Sequence, residues 1–460
     1  MGQSSFEPPP PRPRPSLPGG PYLVVGLARS GQAAARLLAS RAEDVVGCDS
    51  GSPEGWAGLR DAGVEVHLDT DGVPLLERAR CLVKSPGVPR EAPVVRLARE
   101  RGVPVLGELE LAWRMLPNPF VAVTGTNGKT TVTELLGHVW RTAAQPVAVA
   151  GNVGTPLTSL VGEIPPDATV ACECSSFQLE DIEAFAPECA ALLNATPDHL
   201  DRHHDFEDYL RAKLRIFANQ GNDDVAVFNA SEPALQGRDL GGCARRVPYC
   251  RGADPDCAVS LSEGVIFVES EPLMETTELS LPGGHNAENA MAAAAVAIAM
   301  GIERGPIREG LRSFGGVPHR LERVAEIDGV LYVNDSKATN VAAAGAGVRS
   351  FEGGVRAILG GSLKGGGFEA LVDPVAERCV ACYLIGEAAG ALERDLEPAR
   401  GSGVELRRSG DLATAVREAA AAARPGEVVL LTPACASFDA YRDFEERGEH
   451  FRSLVEELGR

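Results

Sequence analysis

Thr124-Gly125-Thr126-Asn127-Gly128-Lys129-Thr130-Thr131 follows the apolar run Phe120-Val121-Ala122-Val123 and precedes a stretch with helical periodicity. A strand that delivers a glycine-rich turn to a helix N-terminus presents backbone N–H groups and a helix dipole to an anion. Lys129 is placed to reach the β- and γ-phosphates of a nucleoside triphosphate, and Thr130 to set its hydroxyl on Mg²⁺. The turn is two residues shorter than the G-x-x-x-x-G-K-[ST] pattern, so a chance turn is the alternative. The strand–turn–helix context and the Gly-Lys-Thr-Thr ending argue against it.

The chain on either side has the same rhythm. Upstream, Tyr22-Leu23-Val24-Val25-Gly26 leads into a helix from about Arg29, and residues 45–49 and 81–87 read as further short strands. Such alternation gives a parallel sheet with crossover helices. Leu116-Pro117-Asn118-Pro119 interrupts the pattern. Downstream, residues 168–173, 189–194 and 225–229 fit more strands, and 286–300 an alanine-rich buried helix. A second joint falls at Gly315-Gly316-Val317-Pro318. The last stretch opens on a hairpin, residues 324–327 and 330–335 about an Asp328-Gly329 turn, and then alternates helices with strands at 355–361, 379–386 and 427–433. The expected fold is α/β in three domains. An N-terminal Rossmann-like nucleotide-binding domain covers 21–117, a central phosphate-loop ATPase-like domain 118–317 and a C-terminal Rossmann-like domain 318–460. A disordered Pro-rich tail, 1–20, precedes them.

A net charge of −20 on 460 residues argues against nucleic acid as a partner, because such a surface needs Lys and Arg to neutralise phosphates. Anionic ligands must then be held by helix N-termini, single basic residues and metal ions. No stretch reaches the ~18 apolar residues of a membrane span, and residues 1–20 lack the apolar core of a secretory signal. A cytoplasmic protein without membrane insertion is expected. The 11 cysteines lie mostly in apolar, strand-like runs, and free buried thiols in a reducing compartment account for them.

Further candidates fall after strands, where open α/β sheets bind ligands. Gly26-Leu27-Ala28-Arg29-Ser30-Gly31 with Asp49 downstream is a weak dinucleotide pattern, since Ala28 replaces the glycine that lets backbone approach a pyrophosphate. A nucleotide at this edge is favoured over NAD, and a turn that binds nothing is the alternative. Glu173, ending a strand beyond the phosphate turn, is the expected second Mg²⁺ ligand. His199, between Asp198 and Asp201, is a metal-ligand candidate. For Lys213 the residues alone favour a surface lysine paired with a neighbour. Asn286 and Asn289 open a helix, suited to a purine edge or to capping. Arg320 at the second joint suits a polyphosphate. Polar clusters at 334–340, 360–364 and 431–437 together suggest a site for a small charged substrate.

Taken in order, TGTNGKTT, ECSSFQLE, DHLDR, GGHNAENAMAA and PHR resemble the Mur ligases, from about Tyr22 onward. VNDSKATN, LGGSLKGGGF and LLTPACASFDAYRDFEERG resemble the branch of that family that adds D-glutamate. The resemblance implies ATP-dependent ligation of D-glutamate to UDP-N-acetylmuramoyl-L-alanine through an acyl phosphate, a cytoplasmic step of peptidoglycan precursor synthesis. The alternative is addition of L-glutamate or another amino acid by a related Mur ligase. It also implies roles. Gly125, Thr126, Asn127, Gly128, Lys129, Thr130, Thr131, Asn286, Asn289, Arg320, Asp335 and Lys337 would take ATP. Ser30, Asp49, Gly87 and Asn152 would take the UDP-sugar, with Ser175 nearby. Thr339, Lys364, Ser437 and Phe444 would take D-glutamate. Thr130 and Glu173 would hold one Mg²⁺, and His199 with a carbamylated Lys213 a second, so that Lys129, His199 and Lys213 are the expected catalytic residues. A monomer is expected.

Overall fold

Three sheets organise the chain in the computed structural model, which describes residues 8–10, 12–152, 154–199, 202–281, 283–363 and 367–459. β1 (Tyr22–Val25), β2 (Val45–Cys48), β3 (Glu65–His67), β4 (Cys81–Lys84) and β5 (Val105–Gly107) are all parallel, in the order β3-β2-β1-β4-β5. β1, β2 and β4 are buried at every residue, as strands covered on both faces must be. The order reverses between β1 and β4, which opens a crevice beyond their carboxyl ends.

The second sheet holds β6 (Phe120–Thr124), β7 (Val147–Gly151), β8 (Thr169–Glu173), β9 (Cys189–Leu192), β10 (Val225–Asn229), β11 (Arg245–Arg251), β12 (Val259–Ser262), β13 (Val265–Val268) and β14 (Glu271–Glu275). Its order is β14-β13-β12-β11-β10-β9-β6-β8-β7. β12 to β14 form an antiparallel extension that the apolar pattern does not announce. The third sheet comprises β15 (Glu322–Ile327), β16 (Val330–Asn334), β17 (Val355–Gly360), β18 (Cys379–Ile385), β19 (Glu405–Gly410) and β20 (Val428–Leu431), ordered β15-β16-β20-β17-β18-β19. The expected hairpin is present: Ile327 pairs with Val330, and Asp328 and Gly329 take φ of 52° and 76°, the two positive values a tight two-residue turn demands.

The chain divides into two compact units, one ending at Phe314 and one beginning at Gly315. The first contains two sheets because the helix Glu108–Met115, after β5, is built into the core of the second sheet. Leu109, Ala112 and Trp113 pack there with Phe120 and Phe185. The Glu108 carboxylate accepts from the N–H and hydroxyl of Thr158, at 2.7 and 2.8 Å, and Glu110 accepts from the N–H groups of Glu183, Ala184 and Phe185. Between β4 and the second sheet's layer, buried Lys84 pairs with Asp181 at 2.7 Å. The joint at Leu116–Pro119 therefore breaks the strand pattern without freeing the first sheet.

Residues 1–20 are expected to be disordered, but the described part of this segment lies against the first unit. The Arg14 side chain is 5 % exposed, paired with Glu188 at 2.9 Å and stacked 4.5 Å from the Trp113 ring. It also donates to the Asn118 carbonyl. Arg12 pairs with Asp224. A buried carboxylate costs several kcal/mol unless a cation meets it, and Arg14 supplies that cation from a stretch that its prolines make look disordered. The cysteine expectation also needs correction at two places: Cys243 is exposed, and Cys250 and Cys257 are disulfide-bonded across the loop from β11 to β12, with Cα atoms 6.1 Å apart. The turn brings them together, since the Cys257 N–H bonds the Asp254 carbonyl.

Replacing Arg14 leaves Glu188 buried beside apolar rings. Arg14→Ala is expected to destabilise the first unit by about 3 kcal/mol, read as a lower urea midpoint by fluorescence; an unchanged midpoint would mean that the tail only rests on the surface.

Candidate active site

β6 lies where the second sheet's order turns back on itself, between β9 and β8, so the loops after all three strands converge. The loop after β6 is the phosphate turn. Gly128 takes φ of 83°, and a methyl there would collide with Asn289 Oδ1, so glycine serves both the turn and the approach of the helix Gly284–Ala299. The loop after β9 supplies Asn194, whose Oδ1 accepts from the N–H groups of Thr126 and Asn127 at 3.0 and 2.9 Å and whose amide donates to the Asn127 carbonyl. That clasp fixes the first half of the turn. The helix Lys129–Thr142 follows, and its first N–H groups have no intrahelical acceptor. Lys129 Nζ folds back onto the Gly125 and Thr126 carbonyls, each at 2.9 Å.

Glu173 ends β8 and is buried. One carboxylate oxygen accepts from the Thr130 hydroxyl at 2.8 Å and the other from the Asn152 amide at 3.0 Å. A hydroxyl and a carboxylate in contact are hard oxygen donors, the set that Mg²⁺ prefers. Lys213 is not a surface lysine. It is 1 % exposed, donates to the Gly125 carbonyl at 2.7 Å and lies 4.4 Å from the Tyr209 ring centre. Burial, and then the neighbouring Lys129 charge, lower its pKa to about 7. It lies on the helix Phe206–Leu214, which ends in a short 3₁₀ turn through Phe217. His199 takes φ of 53°; its half-exposed ring lies against Phe177 at 5.0 Å and near Asp198. Asp201 falls outside the described residues. Beside His199, buried His203 stacks on Phe177 and bonds Ser176 at 3.0 Å.

A cleft of about 610 Å³ opens at the β1/β4 reversal and is lined by Ser30, Asp49, Gly87 and Asn152, with Gln178. Its size suits a small-molecule ligand. Asp49 is partly committed, since its carboxylate accepts from Leu27 N at 2.6 Å and Gly51 N at 2.9 Å. Gly31 closes the turn: a methyl there would overlap the Gly26 carbonyl. Ser175 does not line the cleft; its hydroxyl caps the helix Ser176–Leu179 through Gln178. Asn152 both lines the cleft and bonds Glu173. It is the link from the cleft to the phosphate turn.

Asn289 donates to Asn286 at 3.3 Å, and both border the groove beside Thr131. In the second unit, Asp335 accepts from the Thr432 hydroxyl at 3.1 Å and Leu321 N at 3.2 Å, and burial raises its pKa to about 7. Lys337 lies 6.0 Å from the Phe444 ring. Arg320 is exposed and Thr339 half-buried. The Ser437 hydroxyl is buried with no hydrogen-bond partner among the described residues. Lys364 lies outside the described residues.

Asn194, Tyr209 and His203 escape a reading of the sequence. Their signal is position alone: Asn194 follows an apolar strand, as does the phosphate turn, and two such loops in a parallel sheet end on the same edge.

Three family models match the chain: "Mur ligase MurD-like, N-terminal domain" at residues 21–107, "Mur ligase middle domain" at 123–297 and "Mur ligase, glutamate ligase domain" at 319–435. Proteins named UDP-N-acetylmuramoylalanine--D-glutamate ligase are similar over almost the whole length. That of Pelotomaculum thermopropionicum is 43 % identical over 94 % of this chain and 96 % of its own, and that of Acidobacterium capsulatum 42 % identical over 95 % and 96 %. Among solved structures, UDP-N-acetylmuramate-alanine ligase MurC from Thermotoga maritima superposes with a TM-score of 0.59 at 19 % identity, over 95 % of this chain and 99 % of that one. At that identity the likeness is one of fold.

Asn194→Ala frees the N–H groups of Thr126 and Asn127 and loosens the turn. The KM for ATP should rise about tenfold with the circular dichroism unchanged, because misplacing a binding loop by an ångström costs that much or more; an unaltered KM would remove Asn194 from the site.

Proposed function

The chain belongs to the Mur ligase family, and from that premise we propose that it joins D-glutamate to UDP-N-acetylmuramoyl-L-alanine, driven by ATP, as a cytoplasmic step of peptidoglycan precursor synthesis. One observation carries the reading at the level of chemistry. Asn152 connects a sugar-nucleotide-sized cleft to Glu173 and Thr130, so an acid held in the cleft and a terminal phosphate on the turn can meet inside one unit. The full-length similarity to D-glutamate-adding relatives supports the choice of substrates.

A carboxylate is a poor electrophile because its oxide does not leave. Transfer of the γ-phosphoryl group of ATP to the alanyl carboxylate makes that oxygen a leaving group. The amine of D-glutamate then attacks the acyl carbon, and the tetrahedral intermediate collapses with loss of phosphate. The protein's part is placement and charge. Lys129, now resting on loop carbonyls, turns to the β/γ-phosphates. Asn286 and Asn289 are assigned to the adenine side, and Arg320, Asp335 and Lys337 are assigned to ATP as well. Ser30, Asp49, Gly87 and Asn152 hold the UDP-sugar, with Ser175 shaping the adjoining helix. Thr339, Lys364, Ser437 and Phe444 receive D-glutamate.

Thr130 and Glu173 fit one Mg²⁺, and His199 with Lys213 would take part in a second site. Lys213 suits carbamylation: with a pKa lowered to about 7, a neutral amine able to add CO₂ is present at neutral pH, and the product is an anionic oxygen donor. Bound Mg²⁺ would offset charge on the phosphates as they approach the carboxylate. A single chain carries all these residues, in keeping with action as a monomer.

Phosphate release should require UDP-N-acetylmuramoyl-L-alanine, D-glutamate and Mg²⁺ together. Equal rates with L-glutamate, with meso-diaminopimelate or with no amino acid would overturn the assignment. Bicarbonate depletion should lower turnover of the native enzyme, and labelled bicarbonate should give a carbamate signal that disappears in Lys213→Ala; the same signal in that variant would place the carbamate elsewhere.

A further inference from the structure

We propose that Arg447 is the positioning residue of the amino-acid site, holding three strand-end loops of the second unit in one arrangement. The inference rests on the assignment of those loops to D-glutamate given above. Arg447 lies in the first turn of the helix Phe444–Leu458 and is 1 % exposed. Both facts count against a cation. Desolvating a guanidinium is costly, and the first turn of a helix favours negative charge. Among the described residues no carboxylate forms an ion pair with it.

Its N–H groups go instead to neutral oxygens. Nε donates to the Ser336 hydroxyl at 3.0 Å, and Nη2 to the carbonyls of Ser336 at 3.0 Å and Cys435 at 3.1 Å. Nη1 donates to the carbonyls of Ala436 at 3.3 Å and Gly360 at 3.4 Å. Ser336 follows β16, Gly360 ends β17, and Cys435 and Ala436 follow β20. One planar group thus reaches all three loops that form the middle of the sheet edge. Two of the loops lead to residues assigned to D-glutamate, the first from Ser336 to Thr339 and the third from Ala436 to Ser437.

The fit is specific to arginine. A lysine has three donors on a point charge and cannot serve the five oxygens that the guanidinium reaches. Gly361 reflects the closeness of the packing, since a methyl there would come within 3.0 Å of Nη1. Ala436 gives its carbonyl to Arg447, while its neighbour Ser437 keeps a buried hydroxyl without a hydrogen-bond partner among the described residues. Arg447 therefore sets where that hydroxyl sits. It also leaves a positive charge beneath a site assigned to a dicarboxylate, where low dielectric lengthens its reach.

The test compares native enzyme with Arg447→Lys by steady-state phosphate release, varying D-glutamate and ATP separately, alongside a thermal melt. The expected result is a KM for D-glutamate raised about tenfold or more, with the KM for ATP within about twofold of native. A KM for D-glutamate within about twofold of native in folded Arg447→Lys overturns the proposal, as does an equal rise in both constants. If Arg447→Lys fails to fold, Ser336→Ala decides by the same split, because it removes the acceptor of Nε, together with that hydroxyl's own bond to the Phe444 carbonyl, and leaves the guanidinium in place. Native enzyme without D-glutamate-dependent release would refute the assigned reaction, a different result from a native enzyme that turns over and variants that leave its D-glutamate KM unmoved.

Discussion

A buried carboxylate with one oxygen on Thr130 and the other on Asn152 organises the first unit. Glu173 can hold both only because β7 and β8 are parallel neighbours, in register from Val147 with Thr169 to Gly151 with Glu173. Gly151 takes φ of 123°, and a side chain there would strike the Glu173 carbonyl. The backbone then turns, and the Asn152 N–H bonds that same carbonyl at 2.9 Å. The side chain that reaches the cleft and the carboxylate that reaches the phosphate turn are thus fixed by one pair of adjacent strands.

The same economy of position runs through the third sheet. Its middle strands, β16, β20 and β17, all end on one edge, and each is followed by a loop whose side chains are polar while its backbone must be held from below. Where the first unit uses a neutral amide, Asn194, to clasp a loop, the second uses a cation. The difference follows from what must be held. Asn194 accepts two N–H groups of a single turn, whereas three loops that present carbonyls call for many donors on one rigid frame.

Much of this was legible in the sequence. The phosphate turn, the strands that flank it, the Asp328-Gly329 hairpin and the polar clusters after strands all carry local signals, because backbone conformation at a glycine or a tight turn restricts which residues can stand there. Thr130 was placed by the glycine-rich turn and Glu173 by its position at the end of a later strand; that β6 and β8 are neighbours is shown by the structure. What was not legible depends on partners distant in the chain. Lys213 reads as a solvated helix residue, and only the packing of its helix against the phosphate turn buries it. The helix Glu108–Met115 reads as the end of the first domain, although Leu109, Ala112 and Trp113 belong to the core of the second sheet. Cys250 and Cys257 read as two more apolar thiols until the loop between them is folded. No spacing rule reports such contacts.

Arg14 has a consequence for how the molecule is made. Arg14 and Arg12 leave the ribosome long before their partners Glu188 and Asp224 are synthesised, so these two ion pairs stay unmade while the first sheet forms beside them. Nascent domains fold as units as they emerge, but this joint cannot close until the fifth strand of the second sheet, β10, is in reach. Residues translated ahead of the first sheet then find their place after it.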